Sequence, residues 1–431
     1  MVSGLRRAAR PLRTVADLDP VIEQIGSSRY VLLGEASHGT SEFYSWRAAL
    51  TWRLIAEKGF TVVAVEGDWP DCYRVNRFAK HRPDAGSSAE EVLHAFDRWP
   101  TWMWANREVA EFIEWMRGLN RGRSEEAMCG FYGLDVYSLW DSMREVIGYL
   151  NRVDPAAVPL ARRAYNCFEP YAEDEQEYAR ATALVPTSCE QETIDVLTKL
   201  RARAAEYRED GREGFFVAEQ NALVARNAER YYRAMVRGGP GSWNIRDHHM
   251  VETLERLMDF HGPTSKAVIW EHNTHVGDAR FTDMARHGMV NVGQLVRQRH
   301  ENDGVFIIGF GTHRGTVIAA SEWGEPMQRM RVPAARDGSI EAVLESSGVG
   351  DSMLLFDGSP DGGIRGLDEP IDHRAIGVVY DPERERWGNY VPSILPSRYD
   401  AFLYIEETRA VDPLHMPVRV SGEEETYPTG M

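Results

Sequence analysis

The sequence predicts an α/β protein: a mostly parallel sheet with flanking helices and an inserted all-helical subdomain. Two observations predict it. Short runs rich in Val, Ile and aromatic residues recur at 30–34, 62–65, 131–134, 268–270 and 305–310. That length and composition suit strands buried on both faces. From 138 to 237 no such run occurs, and Val217, Val224, Ala228, Tyr231 and Met235 recur at helical spacing instead. A chain of 431 residues is long for one core, which fits a main domain carrying an insertion. The expected organisation is a first part of the α/β core over 15–137, a helical insertion over 138–240, a second part of the core over 241–415, and a disordered acidic tail over 416–431.

The elements follow in order. After the strand at 30–34, a helix is expected from Ser41 to Lys58, with Ser41 as N-cap and Glu42 favouring the positive end of the helix dipole. Phe43, Trp46, Leu50 and Leu54 mark its buried stripe, and Gly59 suits the left-handed position just past its end. A second helix covers about 106–119 before the strand that ends at Asp135. Trp99, Trp102, Trp104 and Trp115 concentrate aromatic surface for packing, and such surface can also line a cleft. Pro155, Pro170 and Pro186 punctuate the helical stretch, and Arg237-Gly238-Gly239-Pro240-Gly241 closes it. The α/β pattern then resumes with a helix carrying Met250, Leu254, Leu257 and Met258. Strands are expected near 267–271, 305–310, 316–319, 352–356 and 375–380. Residues 357–370, rich in Gly, Asp and Pro, read as a long loop that could act as a lid.

Composition removes several classes of function. A net charge of -17 disfavours nucleic acid, because phosphate binding needs a basic face. No stretch approaches the roughly 20 apolar residues of a membrane span, and the basic N-terminus lacks a signal peptide's apolar core. A cytoplasmic protein is the expectation. Cys72, Cys129, Cys167 and Cys189 show no metal-type spacing and read as reduced thiols.

The chemistry is concentrated where the strands stop. The five runs lead into Glu35 and His38, Glu66 and Asp68, Asp135, Glu271 with His272 and His275, and finally His313. Parallel strands would bring these carboxyl ends to one edge, which is where open α/β sheets bind ligands. Glu35, His38, Glu66 and His272 are therefore candidate site residues, with Asp135, His275 and His313 beside them. His248, His249, His261, His287 and His300 are expected to be structural.

Gly34-Glu35-Ala36-Ser37-His38-Gly39 lacks the GxGxxG of a dinucleotide turn and places a carboxylate where a pyrophosphate would go. No GxxxxGK[ST] loop and no GxSxG nucleophile elbow occurs. The same residues could ligate a metal, although neither Glu35-x-x-His38 nor His272-x-x-His275 sits in a clear helix. Alternatively, a carboxylate-held histidine can take a proton from water without a metal. Arg47, in the helix after His38, would offset the carboxylate charge or polarise a carbonyl.

At these residues the chain resembles the erythromycin esterase family. The matching stretches are Gly34-Glu35-Ala36-Ser37-His38-Gly39-Thr40 with Glu42-Phe43 and Arg47, Gly59-Phe60 leading to Glu66, and Arg246-Asp247 with Met250. His272-Asn273-Thr274-His275-Val276-Gly277, Arg374 to Tyr380 and Arg398 to Ala401 complete them. The resemblance implies a two-part α/β enzyme that opens a macrolide lactone by adding water. It makes His38 the general base and assigns Glu35 and Glu66 to orienting the base or the water. Arg47 and His272 become supporting groups. His275, Asp135, Trp69 and Trp102 are then candidates for contacting the small-molecule ester or lactone. No cofactor, nucleic acid or membrane partner is expected, and the oligomeric state is left open. A metal-dependent hydrolase on the same rim and a non-catalytic small-molecule or metal-binding protein are the alternatives.

Overall fold

The computed structural model describes residues 1–171, 175–184, 188–209 and 211–415. The tail expected to be disordered lies outside them. The strands are β1 (Arg10–Pro11), β2 (Tyr30–Leu33), β3 (Val62–Asp68), β4 (Gly130–Asp135), β5 (Ala267–Trp270), β6 (Val305–Ala319), β7 (Gln328–Val332), β8 (Ser352–Leu355), β9 (Ile371–Arg374), β10 (Tyr390–Ser393) and β11 (Ala401–Thr408). Nine of them form one sheet in the order β1-β8-β11-β6-β2-β5-β3-β4, with β7 paired to β6. β9 and β10 make a separate antiparallel ribbon. The centre, from β11 through β6, β2 and β5 to β3, is parallel, and β8 and β7 join it antiparallel. The fold is thus α/β with a mixed, mostly parallel sheet.

The chain forms two compact units. Of the described residues, the first holds 1–65, 75–131 and 263–415, and the second holds 66–74 and those within 132–262. β3 leaves the first unit after Val65, and β4 passes into the second at Tyr132. In the first unit, Val31, Leu32, Leu33, Val63, Val65, Val268, Ile269 and Ile307 are fully buried, as strands covered on both faces require. In the second, helices run from Leu139 to Met235, followed by a 21-residue helix from Gly241 to His261. Their core gathers Val146, Leu150, Val196, Leu197, Leu223 and Tyr231. The helix carrying Met250 and Leu254 therefore belongs to the second unit, not to the resumed α/β pattern.

Several elements differ from the sequence expectation. The helix at Ser41–Lys58 has Thr40 as its N-cap, and Ser41 is already helical. Gly59 does take the left-handed conformation, with φ of 73°. Trp46 is only partly buried, and the inner face instead carries Phe43, Tyr44, Arg47, Leu50, Thr51 and Leu54. The two strands expected at 305–310 and 316–319 are one 15-residue strand. Residues 375–380 form no strand; they contribute only the isolated bridges Ser37↔Ile376 and Ala320↔Val379. Cys167 and Cys189 are joined as a disulfide, with Cα atoms 5.8 Å apart, so only Cys72 and Cys129 are free thiols. Packing of the helical unit sets that pairing across 22 residues, and spacing alone carries no trace of it.

Glu341 is an unusual feature of the first unit's core. It is fully buried; Oε1 accepts the Arg374 amide at 2.9 Å, and Oε2 has no hydrogen-bond partner among the described residues. Burial pushes its carboxyl from 4.5 up to about 7, against a partial counter-effect from the Arg374 charge. Between these values the unfolded chain has released a proton that the folded chain keeps, so stability falls as pH rises through that window. Glu341→Gln is expected to remove this slope, by up to about 1.4 kcal/mol per pH unit. Urea unfolding at about pH 5 and about pH 7 reads it; an unchanged slope in the variant rejects the assignment.

Candidate active site

The turn after β2 is held by its own main chain. Gly34 N–H donates to the Ile308 carbonyl at 2.8 Å, and Ile376 N–H donates to the Ala36 carbonyl at 2.8 Å. The Gly39 carbonyl accepts from both Ile318 N–H and Val411 N–H at 3.0 Å. Residue 39 must be glycine on grounds of space, since a Cβ there would lie 2.0 Å from the Ile318 carbonyl oxygen. Three separate chain segments therefore fix the residues that carry Glu35 and His38.

Within this frame Glu35 is the hub. Its Oε1 accepts from His38 Nδ1 at 2.9 Å, and its Oε2 accepts from Arg47 Nη2 at 2.7 Å. With the proton of His38 on Nδ1, Nε2 is the basic nitrogen. All three side chains are buried. Arg47 lies one turn inside the following helix, its guanidinium carbon 4.4 Å from the Tyr44 ring centre and 5.0 Å from that of Trp270. Among the described residues its Nε and Nη1 have no hydrogen-bond partner, and its Nη2 is committed to Glu35. Tyr44 in turn donates to the His38 carbonyl at 2.7 Å.

His272 ends the loop after β5 and caps the short helix Asn273–Val276. Its Nδ1 accepts from the Thr274 N–H at 3.3 Å and lies 2.8 Å from the Thr274 hydroxyl. Two groups directed at Nδ1 place the proton on Nε2, the opposite tautomer to His38. The two rings are 4.8 Å apart between centres. One strand end thus presents a basic nitrogen and the next an N–H donor.

The second unit carries a different cluster. Arg246 grips Asp135 with two bonds, Nε to Oδ1 at 2.9 Å and Nη2 to Oδ2 at 2.7 Å, and its Nη2 also donates to Glu66 Oε1 at 2.7 Å. Burial works against the guanidinium charge, but Asp135, Tyr137 and Glu66 more than offset it and hold its pKa well above the ordinary arginine value. His249 supports Asp135 from behind: Nε2 donates to the Asp135 carbonyl at 3.2 Å, and Asn227 donates to Nδ1 at 2.8 Å. Burial lowers the pKa of His249 to about 4, so it stays neutral.

The sequence-derived candidates thus fall into two groups. Glu35, His38, Arg47 and His272 come together in the first unit; Glu66 and Asp135 come together in the second. His275 is buried in the Asn273–Val276 helix, and His313 lies within β6, where burial lowers its pKa. Trp69 stacks on Tyr73 and Tyr132, and Trp102 packs edge-on against Trp99. Sequence reasoning gave Arg246 no role. The signal for it was charge balance, because two buried carboxylates demand a cation. Among the described residues no group of three or more His, Cys, Asp or Glu side chains is arranged to hold a metal ion, and no helix is long and apolar enough to cross a membrane.

Known proteins resemble this chain along most of its length. It is 20% identical over 433 aligned residues to the putative hydrolase YbfO of Bacillus subtilis (strain 168), covering 93% of this chain and 90% of that one. It is 21% identical over 367 residues to an erythromycin esterase type II of Escherichia coli, covering 80% and 84%. The crystal structure of a succinoglycan biosynthesis protein superposes with a TM-score of 0.78 at 21% identity, covering 95% of this chain and 97% of that one, a likeness of fold. A model of the erythromycin esterase family matches residues 55–408, and the protein belongs to that family of hydrolases.

Proposed function

We propose that this protein adds water across a carboxylic ester or lactone of the macrolide type, with His38 as the general base. The observation that carries the reading is the buried Arg47–Glu35–His38 series, which fixes one imidazole tautomer and leaves Nε2 as its basic atom. In this reading Nε2 takes a proton from water as the water oxygen attacks the acyl carbon. The carbonyl oxygen gains negative charge, and the His272 Nε2–H stabilises it. The proton then passes from His38 to the departing alkoxide, so that an acid and an alcohol leave and the imidazole is restored. For a lactone, both products remain on one opened ring.

In this scheme Arg47 holds the Glu35 carboxylate through its Nη2 bond and, with His272, is assigned to stabilising the oxyanion or holding the substrate. Glu66 is assigned a part in orienting water by its match to the family motif. Asp135, whose two oxygens are engaged by Arg246, has a supporting role in holding that cation. His275, Trp69 and Trp102 stay with the substrate-contact reading taken from the sequence.

The test is incubation of purified protein with erythromycin and a panel of simpler esters and lactones, followed by mass spectrometry with and without chelator. A product heavier by one water, formed at the same rate with chelator present, is the expected result. Absence of hydrolysis across the panel would reject the reading, and loss of turnover on chelation would favour a metal-dependent hydrolase.

A further inference from the structure

Asn273, between His272 and Thr274, is hydrogen-bonded through its side chain to β6 and through its main chain to Glu35 and Arg398. Its side-chain amide faces the Phe310 main chain in β6: Nδ2 donates to the Phe310 carbonyl at 2.7 Å, and Oδ1 accepts the Phe310 N–H at 3.2 Å. Its own N–H donates to the Glu35 carbonyl at 2.8 Å. Its own carbonyl accepts from Arg398 Nη2 at 2.8 Å and from the Gly277 N–H at 3.0 Å. The residue is buried, as are Arg398 and Phe310. A carboxamide can both donate to and accept from the main chain of one residue, which neither a carboxylate nor an aliphatic side chain can do.

A second observation comes from Gly34. A Cβ at that position would lie 2.1 Å from Asn273 Oδ1 and 3.2 Å from its Cγ. The bare backbone at 34 is therefore the space into which the amide fits. The sequence pairs a glycine at the end of one strand with an asparagine after another, and each explains the other.

We propose that Asn273 is a positioning residue that sets the placement of the His272 imidazole, with Gly34 providing the room for it. The proposal rests on the hydrolase reading of His272. Asn273 reaches no reacting atom. It fixes the turn on which His272 sits to β6 through its side chain and to the Glu35 main chain through its N–H. The Nε2–H donor and the Nε2 base of His38 are thereby held in one relative geometry. A displacement on the order of 1 Å of such a group can cost about a hundredfold in rate.

The experiment compares wild type, Asn273→Ala, Asn273→Asp, Gly34→Ala and the double variant Gly34→Ala/Asn273→Ala. Histidine-labelled protein gives imidazole nitrogen spectra in which wild type should show the Nε2–H form for His272 and the Nδ1–H form for His38. Asn273→Ala is expected to shift or broaden the His272 resonances towards mixed tautomers and to leave those of His38 unchanged. On a confirmed ester, kcat should fall roughly ten- to a hundredfold with KM within about twofold, and the pH profile of kcat/KM should keep its shape. Gly34→Ala should mimic this loss, and the double variant should lose much less than the product of the two single losses. Asn273→Asp keeps the side-chain volume and covers the case in which the alanine variant does not fold. Unchanged His272 resonances in both Asn273 variants, equal disturbance of both imidazoles, or multiplicative losses in the double variant would each overturn the proposal. If wild type hydrolyses no ester, the hydrolase reading fails, while the spectra still decide whether Asn273 positions His272.

Discussion

Arg246→Met should destabilise the protein by about 3–5 kcal/mol, the cost of leaving buried carboxylates without their cation. Folded domains have only about 5–15 kcal/mol in total, so poor expression or aggregation is the expected phenotype. The reason is local. Asp135 receives two charge-assisted bonds from this guanidinium and Glu66 one, and all three groups are buried. Methionine fills similar volume but supplies no donor. Much of the loss should return in Arg246→Met/Glu66→Gln/Asp135→Asn, where no uncompensated charge remains. Denaturant unfolding measures both. A single variant as stable as wild type would mean that the cluster is not the electrostatic unit described.

His38→Ala is expected to reduce kcat by about 10²–10⁴-fold on any substrate that wild type hydrolyses, the usual contribution of general base catalysis. The fold should survive, because Tyr44 bonds to the His38 main chain and Arg47 continues to balance Glu35. Glu35→Gln should reproduce much of the kinetic loss while keeping the imidazole, since a carboxamide no longer fixes the tautomer as a carboxylate does. The double variant should be little worse than His38→Ala alone, because residues acting as one unit do not lose activity additively. Circular dichroism and initial-rate kinetics on the three proteins settle the matter. Full activity in folded His38→Ala would end the mechanism.

Much of the fold and part of the site are legible in the sequence, and the limits have physical causes. β2, β3, β4 and β5 stand where short buried apolar runs placed them, because a strand covered on both faces leaves an uninterrupted signature. Glu35, His38 and His272 could be named because each follows such a run. β6 is one strand where the sequence suggests two; Gly311 and Gly315 interrupt its apolar run, and both mark close approach: a Cβ at 315 would lie 2.0 Å from the Thr408 carbonyl oxygen. β11 carries the same kind of signature in Ala401-Phe402-Leu403-Tyr404-Ile405, whereas its place between β6 and β8 depends on long-range parallel and antiparallel pairing. Residues 375–380 look like a strand but bridge two different partners at single points. Arg47 could be suspected from its motif, but its burial could not. Hydrophobic periodicity counts arginine as polar, and only the Glu35 carboxylate and the Tyr44 and Trp270 rings make an inward cation acceptable.

The turn bearing Glu35 and His38 is secured by peptide groups from β6, from residues near 376 and from residues near 411. Peptide hydrogen bonds are indifferent to the side chains attached to them, provided that glycine is kept where space demands it and proline is kept away from the donors. Positions near 376 and 411 can therefore vary in side chain, within the limits of packing, while the peptide bonds that hold the turn remain. For laboratory evolution this separates two kinds of position: those that hold the turn through peptide groups alone can be varied, whereas Gly34, Glu35, His38, Gly39, Arg47 and Asn273 are kept.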